Sequence, residues 1–263
     1  MNSQSVVLIT GASSGIGRAL ALHYARQHCR VVVTARRETL LAELADAIRA
    51  EGGEALPLTC DVSDAAQMSA AIAQAHAAWG RLDLAILNAG VSEPTDALNF
   101  EAASLVRMTQ TNLFGVAYGL ESLIPLMRQQ MRQQANGGQI AVVSSIVGDR
   151  GLPGSAGYST TKNAVNALCD SLRAHLRTQG IQLVTIAPGY VDTAMTARFK
   201  SRPFVMSAEA AAELIARRLA RGDRIIRFPF WTSLFMRFVR LMPTVMFDAL
   251  LGKRSSPPER VEK

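Results

Sequence analysis

The sequence predicts an α/β protein built on a doubly wound parallel sheet of seven strands, with helices on both faces. Short apolar runs alternate six times with helical stretches, which is typical of parallel strands joined by helices. A glycine-rich turn follows the first run, and other polar motifs stand where later runs end, at the edge where open parallel sheets bind ligands. The predicted strands are residues 6–10, 30–34, 55–59, 82–87, 139–143, 181–187 and 224–228, and the predicted helices are residues 18–27, 38–51, 65–79, 99–132 and 155–179.

Length and composition predict one domain and a cytoplasmic location. With 263 residues and 49% hydrophobic composition, the chain can bury one large core, which we place in residues 1–228, followed by a C-terminal extension over residues 229–263. The N-terminus has no basic region and leads straight into the first strand, so a cleaved signal peptide is not expected. The three cysteines are far apart and show no metal-ligand spacing, which predicts reduced thiols and no metal site: Cys29, Cys60 and Cys169.

The turn after the first strand has the sequence Gly-x-x-x-Gly-x-Gly and leads into a helix. Glycine lets the backbone approach a phosphate closely, and the helix N-terminus presents free N–H groups, so this turn is a candidate anion site. Its position after the first strand favours a dinucleotide, although a simple tight turn remains the alternative. The candidate cofactor-binding residues here are Gly11, Ser13, Ser14, Gly15, Ile16 and Gly17.

The second strand is followed by two arginines, Arg36 and Arg37. In dinucleotide folds an acidic residue near this position binds the ribose 2′-hydroxyl, whereas arginine accommodates a 2′-phosphate. The acid is missing here, which favours NADP(H) over NAD(H). The alternative is that both arginines are solvated at the start of the next helix.

The third and fourth strands also end in candidate cofactor residues. Asp61 and Val62 follow the third strand, and Asp61 can either accept a hydrogen bond from an adenine amino group or cap the next helix. Asn88, Ala89 and Gly90 follow the fourth strand. Small residues there allow a flat cofactor to pack closely, and the Asn88 amide can tie neighbouring strands together.

Asn112 stands among apolar residues within the long helical stretch of residues 99–132, with Gly115 and Gly119 nearby. This combination predicts a local interruption of the helix, a feature often found at functional sites. The alternative is a core amide whose hydrogen bonds are satisfied by backbone.

Ser145, Tyr158 and Lys162 are the candidate catalytic group. Tyr158 and Lys162 are four residues apart on a predicted helix, so they lie on one face, where the ammonium is expected to lower the pKa of the phenol. Ser145 ends the fifth strand and can donate a second hydrogen bond to the same substrate oxygen.

These motifs occur together in one register between about residues 5 and 195, and with them the sequence resembles the short-chain dehydrogenase/reductase family. The resemblance implies a Rossmann fold, Tyr158 as general acid/base, Ser145 polarising the substrate oxygen, Lys162 on the nicotinamide ribose and Asn112 positioning a water. It also implies a homodimer or homotetramer. The segment after the sixth strand is expected along the nicotinamide, with Val191 near the carboxamide and Thr193 near the phosphates: Pro188, Gly189, Val191 and Thr193.

The sequence departs from the family pattern in two respects. Leu87 stands where many members have a first Asn before Asn-Ala-Gly, and the chain lacks the Gly-Gly-containing ending that many members have after the last strand. The expected activity is NADP(H)-dependent interconversion of a ketone or aldehyde and an alcohol. A catalytically idle NADP(H)-binding sensor or scaffold is the alternative, and an epimerase or dehydratase fits poorly with the position of Ser145.

The expected substrate is hydrophobic. The loop of residues 194–206, where this family usually closes over substrate, is short and contains Phe199, Phe204 and Met206. An apolar lid suits a lipophilic ketone or secondary alcohol.

The C-terminal extension is amphipathic and basic. Residues 198–263 hold 14 Lys and Arg against 6 Asp and Glu, a net charge of +8 in a chain of net charge +7. Charged residues interrupt it too early for a membrane span, and Pro243 is expected to kink or divide the helix, which Gly252 ends. The extension is expected to cover a sheet edge or subunit interface, to wall the substrate pocket, or to lie on a membrane with Arg237 and Arg240 at the headgroups; nucleic acid is not expected as a partner. The predicted apolar face is Trp231, Leu234, Phe235, Phe238, Leu241, Met242, Val245, Met246 and Ala249.

Overall fold

A computed structural model describes residues 4–134, 138–199 and 201–251. Within them, seven parallel strands form one sheet, and the chain order reverses between its two central strands, as in a doubly wound fold. The predicted fold class is confirmed. The strands are β1 (Val6–Thr10), β2 (Arg30–Ala35), β3 (Glu54–Thr59), β4 (Leu84–Leu87), β5 (Gln139–Val143), β6 (Gln182–Pro188) and β7 (Ile225–Phe228), in the spatial order β3-β2-β1-β4-β5-β6-β7.

Helices cover both faces of the sheet. Successive residues of a strand point to opposite faces, so Val7 and Ile9 pack in the core beneath the first, second and seventh helices, while Val6 and Leu8 pack beneath the third, fifth and sixth. The helices are α1 (Gly15–Arg26), α2 (Glu38–Ala50), α3 (Ala65–Trp79), α4 (Ala102–Thr109), α5 (Gly115–Gln134), α6 (Ala156–Thr178), α7 (Ala208–Ala220), α8 (Phe230–Leu241) and α9 (Thr244–Leu251).

Most predicted strand boundaries agree with the structure to within a residue, but β4 begins two residues later than predicted. The backbone N–H and C=O of Leu82 pair with the Gln130 side chain at 2.8 and 3.0 Å rather than with a neighbouring strand. The Asp83 carboxylate accepts the N–H of Val6 at 2.8 Å. The Gln130 and Asp83 side chains therefore satisfy the Leu82 backbone and the Val6 N–H at this entrance to the sheet.

The predicted long helix is divided as expected. A π-helical turn, Gln110–Phe114, separates α4 from α5 and contains Asn112. The helical stretch also begins at Ala102, three residues later than predicted. The interruption places the wholly buried Asn112 side chain beneath the site described below.

The described part of the C-terminal extension, residues 229–251, forms two helices, divided at Pro243 as predicted; Gly252 lies outside the described residues. The face of α8 that packs on the protein is not the predicted apolar face. Met236 is buried with Ile146 and Ala187, and Val239 lies on the same side of the helix, whereas Trp231 is 62% exposed. The spacing of apolar residues in the sequence identifies an apolar face of the helix, but the side of α8 opposite that face contacts the sheet. No helix in the described ranges is long and apolar enough to cross a membrane.

Candidate active site at the carboxyl edge of the sheet

A cavity of about 360 Å³ lies at the carboxyl ends of the strands, around the point where the strand order reverses. Of the predicted site residues, only Gly17 and Asn112 do not line it, and both lie directly behind residues that do. The lining includes Gly11, Ser13, Ser14, Gly15, Ile16, Arg36, Arg37, Asp61, Val62, Asn88, Ala89, Gly90, Ser145, Tyr158, Lys162, Pro188, Gly189, Val191 and Thr193.

The glycine-rich turn fits a dinucleotide phosphate. Gly11 and Gly15 have φ values of 67° and 58°, which favour glycine, and a side chain on Gly17 would place its Cβ 2.5 Å from the Gly11 carbonyl oxygen. α1 begins at Gly15, earlier than predicted, so the glycines themselves form its first turn. The free N–H groups of a helix N-terminus therefore belong to the turn that lines the cavity.

Thr10 and Asn88 join β1 to β4 beneath the cavity. Thr10 Oγ1 accepts the backbone N–H groups of Asn88 and Ala89 at 3.0 and 3.1 Å. The Asn88 side-chain amide donates to the Thr10 carbonyl oxygen at 2.9 Å. Asn88 therefore ties the two strands together as predicted, and Leu87 before it is buried in the core.

The two predicted cofactor arginines make different contacts. Arg37 Nη2 donates to the hydroxyls of Ser13 and Ser14 at 2.7 and 2.8 Å, so its guanidinium is fixed against the glycine-rich turn. Arg36 Nη1 lies 3.8 Å from Asp61 Oδ2. The two positive charges border the cavity between the ends of β1, β2 and β3.

Asp61 does not cap the helix that follows it. Asp64 is the N-cap of α3 and accepts the N–H groups of Ala66 and Gln67 at 2.9 and 3.0 Å. Asp61 instead accepts hydrogen bonds from the backbone and hydroxyl of Ser63 and faces the cavity. The capping alternative for Asp61 is therefore wrong.

Ser145, Tyr158 and Lys162 meet in the cavity from two elements. Ser145 follows β5 and opens a short 3₁₀ turn, where its hydroxyl lies 3.3 Å from the Pro188 carbonyl oxygen. Tyr158 and Lys162 lie on α6, and Lys162 Nζ is 5.7 Å from the centre of the Tyr158 ring. Lys162 Nζ also donates to the Val143 carbonyl oxygen at 2.8 Å, which directs the ammonium toward the end of β5.

Asn112 is fully hydrogen-bonded. Its Oδ1 accepts the Val91 N–H at 2.8 Å, and its Nδ2 donates to the Val91 carbonyl oxygen at 2.9 Å and to Thr161 Oγ1 at 3.0 Å. It therefore fixes the chain after β4 against α6. A Cβ on Gly90 would lie 3.3 Å from Asn112 Oδ1 and 3.6 Å from Lys162 Nζ, so the amide is close to the lysine.

Comparison with known proteins decides the family. The sequence model described as short chain dehydrogenase matches residues 5–203. The chain belongs to the short-chain dehydrogenase/reductase family. It is accordingly a hydride-transferring oxidoreductase with a nicotinamide cofactor and a small-molecule substrate, and proteins of this family commonly form oligomers.

Similar proteins include enzymes and a cofactor complex. An uncharacterized oxidoreductase of Myxococcus xanthus is 36% identical over 248 residues, which are 94% of this chain and 96% of that protein. A 3beta-hydroxysteroid dehydrogenase of Mediterraneibacter gnavus is 32% identical over 211 residues, 80% of this chain and 74% of that protein. A short chain dehydrogenase/reductase from Burkholderia phymatum, solved in complex with NAD, has a TM-score of 0.83 at 25% identity and covers 97% of both chains.

In this short-chain dehydrogenase, burial governs the ionisation of the tyrosine and the lysine. Burial raises the pKa of Tyr158 to about 12, while hydrogen bonding to Ser145 opposes the shift. Burial also lowers the pKa of Lys162 to about 8. The net shift of the Tyr158 pKa is therefore upward, not downward as predicted, because desolvation outweighs the Ser145 hydrogen bond and the charge of Arg198.

Three residues that hold the site in place were not among the site residues predicted from the sequence: Thr10, Ser144 and Arg198. Thr10 directly precedes Gly11, and its position at the end of β1 is the signal that could have indicated its role. Ser144 Oγ donates to the Lys162 carbonyl oxygen at 3.1 Å, which holds α6 against β5. Arg198 donates to the carbonyl oxygen and hydroxyl of Ser92 at 2.8 Å, and its charge opposes the rise in the Tyr158 pKa that burial causes; no spacing in the sequence indicates it.

Proposed function

We propose that the protein interconverts a lipophilic ketone or aldehyde and the corresponding alcohol with NADP(H). The observation that supports the reaction best is the convergence of the Ser145 and Tyr158 hydroxyls, with the buried Lys162 ammonium, in one cavity beside the glycine-rich turn. Two hydroxyl groups can donate hydrogen bonds to one substrate oxygen, and a cation beside them can stabilise the phenolate that remains after proton transfer.

Each side chain has a distinct task in carbonyl reduction. A nicotinamide cofactor, when bound, would supply the hydride that reduces the carbonyl carbon. Ser145 donates a hydrogen bond to the substrate oxygen, and Tyr158 transfers its phenolic proton to that oxygen, which completes the alcohol. A Tyr158 pKa of about 12 keeps the phenol protonated at neutral pH, so the group is in the form that reduction requires.

Lys162 acts on the tyrosine rather than on the substrate oxygen in this proposal. After proton transfer Tyr158 carries a negative charge inside the protein, where an unpaired charge is costly. The Lys162 ammonium stabilises this phenolate until a proton returns from solvent, while the Val143 carbonyl oxygen holds the ammonium in place. Asn112 contributes by fixing the chain between β4 and α6, next to Lys162.

The cofactor preference rests on the arginines after β2. Arg37 is held against the glycine-rich turn by Ser13 and Ser14, so its charge is placed where a phosphate near that turn can accept further hydrogen bonds. Arg36 adds a second charge, which Asp61 partly neutralises. We therefore infer a preference for NADP(H), carried mainly by Arg37.

The substrate class follows from the loop over the cavity. Ala194 and Met195 line the cavity, and Phe199 packs edge-on against the Tyr190 ring at 5.7 Å. Phe204 is 62% exposed, so this loop presents apolar side chains to solvent next to the cavity. One relative is named as acting on a hydroxysteroid, an apolar secondary alcohol, which agrees with a lipophilic substrate.

The reaction is tested by following oxidation of NADPH with ketones and aldehydes of increasing apolar size. We expect turnover to rise with apolar size, and Tyr158→Phe to lower kcat by at least a hundredfold while NADPH binding stays unchanged. Tyr24→Phe is the matched control, because Tyr24 is buried on α1 away from the cavity. Tight NADPH binding without turnover on any substrate would instead indicate a binding protein, and full activity in Tyr158→Phe would refute the role of Tyr158 as the general acid.

The same assay tests the cofactor preference. Arg37→Ala is expected to reduce the ratio of NADPH to NADH affinity by about tenfold, since one charge-assisted hydrogen bond is worth about 1.5–3 kcal/mol. Arg36→Asp should shift the ratio in the same direction. Arg128→Ala, an exposed arginine on α5, is the control, and an unchanged ratio in both cavity variants would contradict the preference.

We also infer the organisation of the chain. Residues 1–228 are proposed as one dinucleotide-binding and catalytic domain and residues 229–263 as a separate extension, whose described part, residues 229–251, packs on the domain after the last strand ends at Phe228. Proteins of this family commonly form oligomers, which supports a homodimer or homotetramer. Light scattering of the purified protein measures its molar mass and so tests this directly.

A further inference from the structure

The C-terminal helices leave a large apolar surface exposed, which we call the tail surface. A helix turns by about 100° per residue, so the exposed apolar residues of α8 lie within a stripe about 140° wide. An exposed apolar surface of this extent marks an interaction site. The tail surface consists of Phe230, Trp231, Leu234, Phe235, Phe238, Leu241, Val245, Met246 and Leu250.

The opposite side of the extension is fixed to the protein. Met236 is buried with Ile146 and Ala187 beside the active-site loop. Arg150 donates to the carbonyl oxygens of Val239, at 2.9 Å, and Met242, which belong to the end of α8. Arg150 also lies 3.9 Å from the centre of the Phe247 ring on α9. One arginine thus holds both helices, and the tail surface faces outward as a consequence.

The charges beside the tail surface are positive. Arg237 and Arg240 are both exposed, but at about 100° per residue Arg237 lies at the edge of the stripe, whereas Arg240 lies on the side of the buried Met236. α8 carries no acidic residue. On α9 the one acidic residue is Asp248. Basic residues also exceed acidic ones across the C-terminal quarter of the sequence. The partner of this surface must therefore be apolar and compatible with an excess of positive charge.

We propose that the tail surface binds a membrane that contains anionic lipids, with its aromatic side chains at the level of the headgroups and acyl chains. Amphipathic helices with Trp, Phe and Leu on one face and arginine beside it bind such interfaces, and aromatic rings favour this depth. A second copy of the chain fits less well. An isologous contact through α8 would bring the arginines of two copies together without an acidic residue on either helix.

Membrane binding would place the active site next to the bilayer. Arg150, which holds the extension, lies on the segment between β5 and α6, and this segment also connects Ser145 to Tyr158. A lipophilic substrate could then reach the cavity from the bilayer with little exposure to water. This consequence rests on the proposed function, whereas the binding of the surface to lipid does not.

The experiment measures cosedimentation of the full chain with vesicles of phosphatidylcholine, with and without phosphatidylglycerol. We expect binding to the anionic vesicles that weakens with salt and is much weaker to phosphatidylcholine alone. Phe238→Glu with Leu241→Glu should reduce binding at least tenfold. The matched control is Phe100→Glu with Leu98→Glu, which changes residues of the same types and similar exposure before α4, where no effect is expected.

The arginine contribution is measured separately. Arg237→Gln is expected to weaken binding to anionic vesicles about fivefold, because one basic residue near such a surface contributes about 1 kcal/mol. Arg240→Gln, on the side of α8 that faces the protein, is expected to weaken it less. None of these substitutions touches the cavity, so turnover of a water-soluble ketone with NADPH should stay unchanged. Absence of wild-type turnover with every ketone and aldehyde of the graded series would refute the proposed function and leave the lipid measurement valid.

Three outcomes would overturn the membrane proposal. The first is that the wild type does not bind vesicles, and the second is that the variant Phe238→Glu with Leu241→Glu binds them as well as the wild type. The third is that neither protein binds vesicles and this variant forms a smaller oligomer than the wild type. The last outcome would assign the surface to contact between copies of the chain.

Discussion

Replacing Thr10 by valine should destabilise the protein, and the same change at Thr34 should not. The two threonines are directly paired in the register of β1 and β2, and each is 1% exposed. Thr10 Oγ1 accepts two backbone N–H groups, from Asn88 and Ala89. Thr34 Oγ1 has no hydrogen-bond partner within the described part of the chain. The two sites thus receive the same change in shape and differ in hydrogen bonding.

The magnitude follows from the two N–H groups that Thr10→Val leaves without an acceptor. An unsatisfied buried donor costs about 1–3 kcal/mol, and the position of both groups at the rim of the cavity favours the lower end of that range. We therefore expect the free energy of unfolding to fall by about 2–3 kcal/mol for Thr10→Val. For a chain of this size, that loss lowers the Tm by about 5–10 °C.

Thermal unfolding followed by circular dichroism, with urea unfolding as a second measurement, provides the assay. Thr34→Val should be neutral or slightly stabilising, since it removes a buried hydroxyl that makes no hydrogen bond. Equal losses of stability in both variants would refute the reasoning, because shape rather than hydrogen bonding would then explain the effect. An unchanged Tm for Thr10→Val would refute it as well.

Two further predictions concern the buried lysine and the glycine-rich turn. Burial lowers the pKa of Lys162 from 10.5 to about 8, so the unfolded chain binds more protons than the folded protein between these pH values. The free energy of unfolding of the wild type, relative to that of Lys162→Met, should therefore rise by about 3 kcal/mol from pH 8 to 10.5. A difference between the two proteins that stays constant with pH in urea unfolding would contradict this. Gly17→Ala places a Cβ 2.5 Å from the Gly11 carbonyl oxygen and should weaken NADPH binding about tenfold in fluorescence titration. Gly151→Ala is the control, because a Cβ at Gly151 meets open space. Equal NADPH affinities of the two variants would contradict the close packing of the turn.

Local patterns were enough to predict the fold and most of the cavity lining. The alternation of apolar strands and helices reflects periodicities that each segment carries by itself. Because parallel strands end at the same edge, motifs as distant in sequence as Gly11 and Tyr158 could be placed in one site. The interruption at Asn112 was also predictable, since a polar residue and glycines within an apolar helix conflict with a regular helix.

Positions that depend on neighbouring elements were not predictable in this way. Asp61 and Asp64 are both suitable helix caps by residue type, and only the path of the chain after β3 assigns that role to Asp64. Arg198 stands in a loop without any motif, and it reaches Ser92, 106 residues earlier in the chain, only in the folded structure.

The sequence by itself determined the α/β class, the glycine-rich turn, the arginine pair after β2 and the spacing of Tyr158 and Lys162, because each depends on residues close together in the chain. The tertiary structure decided the pKa of Tyr158, since the extent of burial is set by the elements that surround the phenol. It also decided which face of α8 contacts the sheet. An apolar stripe in the sequence shows that one side of a helix favours burial. The whole fold decides whether another surface covers that side.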